Sequence, residues 1–248
     1  MGKIKYLIYS LVFLGGLFFL LSPEVLPSNV QLREIFNSPP QNDIIVVFNS
    51  GGWGNTPLKE AQDFAPIIQG IQDTVSEWGY SSIVVPYERT ENSFFGKVSG
   101  AKETFQLFKK QAEDFSQDIN DFLKKNPSKK IIIAGLCNGG IFTNRVIENI
   151  SSGSKNQVYA IEVGVPFWEE TSNSDNILVV NDKEEDPVFR GEAKTLFSTL
   201  FKGMFKWSLA KVSGENVSFF QFFYMPGHQY SWPEVQPEVV SFLERKLR

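Results

Sequence analysis

A run typical of a buried strand leads directly into a glycine-rich turn in Ile131-Ile132-Ile133-Ala134-Gly135-Leu136-Cys137-Asn138-Gly139-Gly140. Aliphatic residues without polar alternation are typical of parallel strands that are covered on both faces. The Gly-x-Cys-x-Gly-Gly pattern places a thiol where the strand would pass into a helix. Glycines allow the close backbone approach that such a sharp turn demands. The segment therefore predicts a buried strand that presents Cys137 at its carboxyl end.

The rest of the chain repeats this alternation of strand and helix. The apolar runs predict six strands, at 44–48, 82–86, 130–134, 158–163, 177–180 and 217–224. Helices are predicted at about 58–78, 101–125, from Gly139 onward, 191–211 and 237–246. This order favours an α/β fold with a mostly parallel six-stranded sheet and helices on both faces. Functional side chains of such folds collect in loops at the carboxyl ends of the strands.

Aromatic residues follow the predicted helices and loops. The helix at 101–125 is amphipathic, with an apolar face at helical spacing formed by Phe105, Phe108, Phe115, Ile119 and Phe122. Phe201, Phe205 and Trp207 of a later helix are expected in the core. Several loop aromatics fall at the carboxyl edge of the sheet, where they pack locally or line an apolar pocket: Phe94, Phe95, Phe167, Trp168 and Trp232.

The chain has 248 residues but only one cysteine and one histidine. Cys137 cannot form an internal disulfide, and metal sites built on clusters of cysteine or histidine are excluded by count. His228 follows the predicted strand 217–224, so it and Cys137 belong to loops at the same sheet edge. A histidine beside a thiol favours the thiolate, which is the reactive nucleophile. The two residues are therefore interpreted as a nucleophile and its base.

A nucleophile and a base of this kind need two further groups. A carboxylate orients the histidine, and Asp182 and Asp186 both follow strand 177–180, while Glu162 ends a neighbouring strand as a weaker candidate. The next carboxylates along the chain, Glu169 and Glu170, are interpreted as solvated loop residues.

Two backbone N–H groups must also stabilise the oxyanion that forms during acyl transfer. One comes from Asn138, directly after the nucleophile. The second comes from Ser50-Gly51-Gly52-Trp53-Gly54, where Gly52 is preferred and Trp53 is the alternative.

These residues resemble the α/β-hydrolase superfamily. Gly-x-Cys-x-Gly-Gly is similar to its nucleophile elbow with cysteine in place of serine, and the chain order of nucleophile, acid and base is also similar. The resemblance covers about residues 44–247 and implies a minimal form of the fold, with strand order 4-3-5-6-7-8. It favours Asp186, which precedes Pro187-Val188, as the triad acid. Ser50 stands where the oxyanion loop usually carries a histidine.

Within the superfamily, the cysteine elbow most closely resembles that of dienelactone hydrolases. This resemblance implies an ester, lactone or thioester hydrolase with a Cys137–His228–Asp186 triad, a covalent acyl-enzyme, a small-molecule acyl substrate and no cofactor or metal. Two alternatives remain open at this point: a catalytically inactive binding protein with the same fold, and an acyltransferase. The net charge of −4 argues against nucleic acid as a partner.

The N-terminus predicts a relation to a membrane. Lys3 and Lys5 precede an uncharged, apolar run from Tyr6 to Leu21. Residues 1–22 are therefore interpreted as a hydrophobic helix that acts as an uncleaved anchor or, alternatively, as a cleaved signal segment. The basic flank predicts a cytoplasmic N-terminus and an extracytoplasmic hydrolase domain. Residues 23–43 are interpreted as a proline-containing linker without regular structure, and 44–248 as one domain.

Overall fold

Five parallel strands form the central sheet of the computed structural model, which describes residues 13–14, 16–170, 172–181, 186–215 and 227–248. The strands are β1 (Ile44–Asn49), β2 (Ser82–Pro86), β3 (Lys130–Leu136), β4 (Val158–Val163) and β5 (Ile177–Val180). They lie in the order β2-β1-β3-β4-β5, which agrees with the first five strands of the implied order. The predicted strand 217–224 lies outside the described residues.

Seven helices that follow the N-terminal segment are described. They are α1 (Val30–Asn37), α2 (Ala65–Glu77), α3 (Phe94–Phe105), α4 (Lys109–Lys125), α5 (Asn138–Glu148), α6 (Ala193–Val212) and α7 (Trp232–Leu247). Single turns of 3-10 helix occur at Leu58–Glu60 and Lys155–Gln157.

The sheet is buried on both faces because successive side chains of its strands enter different cores. Ile44, Val46 and Phe48 pack with α2 and α7 on one face. Ile45 and Val47 pack with α1, α4 and α5 on the other face. The absence of polar alternation in the strand sequences follows from this double cover, as predicted.

The predicted long helix at 101–125 is two helices. Leu107 and Phe108 have left-handed backbones with φ of 52° and 57°, which separate α3 from α4. This break turns Phe105 into solvent, whereas Phe108 inserts into the core. The prediction of one continuous apolar face was therefore wrong at Phe105, while Phe115, Ile119 and Phe122 are buried as predicted.

Three other boundaries differ from those predicted from the sequence. The segment 23–43 contains α1, whose Leu32 and Ile35 are buried against the sheet layer. Helix α2 begins only at Ala65, with proline in its first turn. Helix α7 begins before Pro237, because Ser231 and Glu234 form a capping box at its N-terminus.

The N-terminal apolar run is helical at residues 13–14 and 16–21. Its aromatic rings pack on α3: Phe18 lies 6.2 Å from Phe94, and Phe19 lies 6.1 Å from Phe105, between ring centroids. Across the described ranges, no helix has both the length and the apolar character needed to cross a membrane.

Candidate active site

The backbone at Cys137 has the strained geometry of a nucleophile elbow. Its φ of 53° and ψ of −116° lie where a residue with a side chain is rarely found. Cys137 immediately precedes α5, and its N–H donates to the carbonyl oxygen of Val163 at 2.9 Å. The thiol is half-buried. The strand-to-helix turn therefore lifts the sulfur to the carboxyl edge of the sheet, as its sequence pattern predicts.

The glycines around Cys137 are required by close packing. A Cβ on Gly135 would lie 2.3 Å from the carbonyl oxygen of Gly139, within the turn itself. A Cβ on Gly139 would lie 2.5 Å from the carbonyl oxygen of Asn49, at the end of β1. Backbone atoms cannot move away as a side chain can, so both positions exclude any larger residue.

Asp186 and His228 are hydrogen-bonded. The Oδ2 atom of Asp186 lies 2.8 Å from Nδ1 of His228. Asp186 is completely buried, and its Oδ1 atom accepts from the N–H groups of Val188 at 2.8 Å and Phe189 at 3.3 Å. Burial alone would raise the pKa of this carboxyl, but hydrogen bonds and the charge of His228 outweigh burial and lower it. The carboxylate thus stays ionised beneath the imidazole.

The imidazole of His228 lies close enough to Cys137 for the two groups to interact electrostatically. Burial disfavours the imidazolium, but Asp186 and then the hydrogen-bonding and charge of Cys137 raise the His228 pKa to about 10. Within the described part of the chain, Nε2 is buried and has no hydrogen bond of regular geometry. The raised pKa keeps the imidazole of His228 protonated near neutral pH, beside Cys137.

Tyr230 is a site residue that the sequence interpretation missed. Its hydroxyl donates to Oδ2 of Asp186 at 2.8 Å, so the carboxylate has a fixed partner besides the imidazole. Gly164, with φ of 61°, makes room for both rings, since a Cβ there would lie 2.7 Å from Tyr230 and 3.0 Å from His228. The signal in the sequence that could have indicated this role was the position of Tyr230, two residues after the single histidine.

The proposed oxyanion donors lie beside each other. Asn138 is the first residue of α5, where backbone N–H groups have no partner within the helix. Its side-chain Nδ2 donates to the carbonyl oxygen of Gly52 at 3.3 Å, which joins the elbow to the 50–54 loop. Among the residues described, neither Gly52 nor Trp53 uses its N–H in a protein hydrogen bond. Both N–H groups are thus available, and the choice between them stays a prediction.

The alternative acids have different surroundings. Asp182 lies outside the described residues. Glu162 is fully buried in β4, and neither of its oxygens has a hydrogen-bond partner among the described groups. Burial, followed by the charges of Glu169 and Glu148, raises its pKa well above the usual range. Glu162 therefore keeps its proton to a higher pH than a free glutamate does, and its carboxyl makes no hydrogen bond to His228.

Several other predictions about side chains are corrected. Glu169 is buried and forms an ion pair with Arg145 at 2.9 Å, so its interpretation as a solvated residue was wrong, whereas Glu170 is exposed. Phe201 and Phe205, expected in the core, are exposed on α6, and Trp207 is half-buried.

The aromatic residues near the carboxyl edge divide into two groups. Trp232 packs closely on α2. Its ring lies so near Gly70 that a Cβ there would be 2.1 Å away. Phe94, Phe95, Phe167 and Trp168 are at least 45% exposed and form an apolar surface on the loops and α3. The described residues contain no group of three or more His, Cys, Asp or Glu side chains arranged to hold a metal ion.

No protein-family model and no curated protein sequence matches this chain. Solved structures nevertheless share its architecture. A Trichoderma reesei cutinase in complex with a C11Y4 phosphonate inhibitor aligns with a TM-score of 0.51 at 12% identity, over 89% of this chain and 85% of that one. An acetylxylan esterase aligns with a TM-score of 0.52 at 16% identity, over 82% of this chain and 98% of that one.

The chain has an α/β-hydrolase-like fold. At identities this low, the likeness establishes the architecture and leaves the reaction to be argued from the site. The five-stranded parallel sheet with helices on both faces confirms the α/β prediction. The resemblance to dienelactone hydrolases and the assignment of Cys137 as the nucleophile rest on residues of this chain and not on these structural neighbours.

Proposed function

We propose that this protein is a carboxylic ester hydrolase whose catalytic residues are Cys137, His228 and Asp186. The single observation that supports this most strongly is the left-handed backbone at Cys137, φ 53°, beside an imidazole held at 2.8 Å by a buried carboxylate. A structural cysteine has no need of this strained turn, because it packs equally well in a regular helix or strand.

The reaction begins with the Cys137 thiolate attacking the acyl carbonyl carbon. A carbon–sulfur bond forms, and the carbonyl electron pair moves to oxygen, where the N–H groups of Asn138 and Gly52 stabilise it. The imidazolium of His228 then gives its Nε2 proton to the departing alkoxide as the carbon–oxygen bond breaks. The result is a thioester on Cys137 and a neutral imidazole.

Water completes the cycle. Neutral His228 removes a proton from water, which attacks the thioester carbon, and the second tetrahedral intermediate expels the Cys137 thiolate. Asp186 keeps the ring oriented through Nδ1 and stabilises its positive charge during both steps. The released products are a carboxylic acid and an alcohol. An activated ester, a lactone or a thioester would enter the same sequence of bond changes.

The test is an ester, lactone and thioester screen with wild-type protein and the Cys137→Ala variant. We expect turnover by the wild type only, and inactivation by iodoacetamide, which has a single cysteine to modify. Full activity in Cys137→Ala contradicts the proposal. Faster acyl transfer to an added alcohol than to water assigns an acyltransferase, and failure to form any acyl adduct assigns a binding protein.

We further propose that the N-terminal segment attaches the protein to a membrane, with the hydrolase domain on the extracytoplasmic side. Leu20 and Leu21 are about three-quarters exposed, next to the Phe94 and Phe105 surface of α3. Together these side chains offer a bilayer an apolar surface. We expect wild-type protein to co-float with phospholipid vesicles and Leu20→Lys/Leu21→Lys to remain unbound. Equal flotation of the wild type and the variant would contradict attachment. Protease protection of an N-terminal tag in whole cells tests the orientation.

A further inference from the structure

Arg89 is a buried cation that forms no ion pair with a carboxylate among the described residues. It is 1% exposed. The ring of Phe108 lies 4.8 Å from the guanidinium carbon, in a cation–π contact. Burial of an unpaired charge costs several kcal/mol in general, so a residue retained there calls for a role other than stability.

The contacts of Arg89 lie on the oxyanion loop. Its Nη2 donates to the carbonyl oxygens of Ser50 at 2.6 Å and Gly52 at 3.4 Å. Its backbone N–H donates to the carbonyl oxygen of Gly54 at 2.8 Å. Gly54 has to be glycine here, because a Cβ would lie 2.5 Å from Nε of Arg89. The guanidinium therefore holds Ser50 and Gly52, and the backbone of Arg89 holds Gly54.

The same contacts reach the nucleophile. The carbonyl oxygen of Gly52 accepts from Arg89 on one side and from Nδ2 of Asn138, the residue after Cys137, on the other. The Arg89 charge also interacts with the Cys137 sulfur: burial lowers the arginine pKa to about 10, and among the effects that oppose this, Cys137 is the largest. At neutral pH the guanidinium is charged and faces a site in which negative charge forms first on sulfur and then on oxygen.

We propose that Arg89 is a positioning residue that holds the Ser50–Gly54 loop in its oxyanion-binding conformation and supplies a buried positive charge to the anionic site. The predicted effect of Arg89 on turnover rests on the proposed hydrolase function. The guanidinium holds the carbonyl oxygen of Gly52, and because the peptide group is planar and trans this contact directs the N–H of Trp53 away from Arg89, free for an oxyanion. The buried charge requires no reorganisation during the reaction, which is the condition for efficient electrostatic stabilisation.

Two substitutions separate the hydrogen bonds of Arg89 from its charge. Arg89→Met removes both, whereas Arg89→Lys keeps a cation but loses the fork that reaches two carbonyls. We expect both variants to lower kcat on an activated ester, by on the order of a hundredfold for methionine, with KM changed less than threefold. Circular dichroism verifies that each variant folds. If Arg89→Met does not fold, the kcat of Arg89→Lys provides the test. Arg33→Met, at an exposed arginine, is the control for loss of one charge.

Alkylation provides a readout that does not depend on any ester. The rate of iodoacetamide reaction with Cys137 at pH 7 is expected to fall at least threefold in Arg89→Met and to stay within twofold of wild type in Arg89→Lys and Arg33→Met. A folded Arg89→Met or Arg89→Lys protein with wild-type kcat, or unchanged alkylation in a folded Arg89→Met protein, overturns the proposal. Failure of wild-type protein to turn over any ester instead contradicts the hydrolase assignment and leaves the alkylation comparison valid.

Discussion

Asp186 and His228 are joined at 2.8 Å across a separation of 42 residues, and the carboxylate of the pair is completely buried. The pair fixes which ring nitrogen faces Cys137, because Nδ1 is committed to the carboxylate. Asp186→Asn keeps the size of the side chain but removes its charge. We expect kcat to fall by about 10³- to 10⁴-fold with little change in KM.

The matched control for Asp186→Asn is Asp43→Asn. The Asp43 carboxylate also accepts two short hydrogen bonds, both from Ser81, but it lies at the amino-terminal end of β1. Loss of kcat confined to the Asp186 variant supports the triad. Steady-state kinetics with a chromogenic ester make the comparison, and equal kcat values for the two variants would speak against Asp186 as the acid.

Tyr230→Phe tests whether the second partner of the carboxylate matters. Its hydroxyl donates one of the hydrogen bonds that hold Asp186, so we expect a roughly fivefold to tenfold lower kcat and a loss of about 1 kcal/mol in unfolding free energy. Tyr159→Phe is the control, since its hydroxyl donates to the carbonyl oxygen of Asn156 at 2.6 Å, away from the site. The control should lose similar stability and keep wild-type kcat. A drop in kcat of the same size in both variants would indicate a general structural effect.

Gly139→Ala tests the steric basis of the elbow. The added methyl group would meet the carbonyl oxygen of Asn49 at 2.5 Å, so backbone must shift at the base of Cys137. We expect a loss of about 1–3 kcal/mol in denaturant unfolding and a large loss of activity. Gly153→Ala, where a Cβ meets nothing within 4 Å, should leave both quantities near wild type. Equal behaviour of the two variants would show that the turn tolerates a side chain.

Glu162 predicts a specific dependence of stability on pH. Burial raises its pKa, so the folded protein holds a proton that the unfolded chain has lost above its ordinary pKa of 4.5. Its contribution to stability is therefore complete below that pH and is lost progressively as pH rises through the raised value. Glu162→Gln cannot ionise and escapes this loss, with a difference of on the order of 1.4 kcal/mol for each unit of the shift.

The measurement is urea unfolding of wild type and Glu162→Gln at pH 4.5 and pH 8. The stability of the variant relative to wild type is expected to increase between the two pH values. Comparison of the difference at two pH values removes the effects of titrating groups that do not interact with Glu162 and of the amide itself. A difference that is the same at both pH values would mean that folding does not raise the pKa of Glu162.

Much of the sheet could be predicted because its strands are apolar along most of their length, with Glu162 of β4 an exception. β3 and its glycines define both a strand and its turn, so the position of Cys137 at the carboxyl edge follows from local sequence. The meeting of the loops that carry Asp186 and His228 was expected because parallel strands bring their terminal loops to one edge, whereas the choice of Asp186 over Asp182 came from the resemblance to α/β-hydrolases. These features depend on residues that are close in sequence or on a general topological rule.

The features that were missed depend on contacts between distant residues. Arg89 lies in a loop without a motif, and only the folded chain brings its guanidinium under Ser50 and Gly52. Glu169 was misjudged because its partner Arg145 is on a different element. The division between α3 and α4 was missed because Leu107 and Phe108 adopt positive φ angles that residues of their type rarely take.

The most direct test of the catalytic proposal is the mass of the protein quenched within milliseconds of mixing with an activated ester. We predict a mass increase equal to one acyl group, mapped by peptide fragmentation to Cys137, accumulating in wild type and absent from Cys137→Ala. In Asp186→Asn the same adduct should form more slowly. Steady ester turnover with no adduct on Cys137, or an adduct mapped to a serine, would contradict the assignment of Cys137 as the nucleophile.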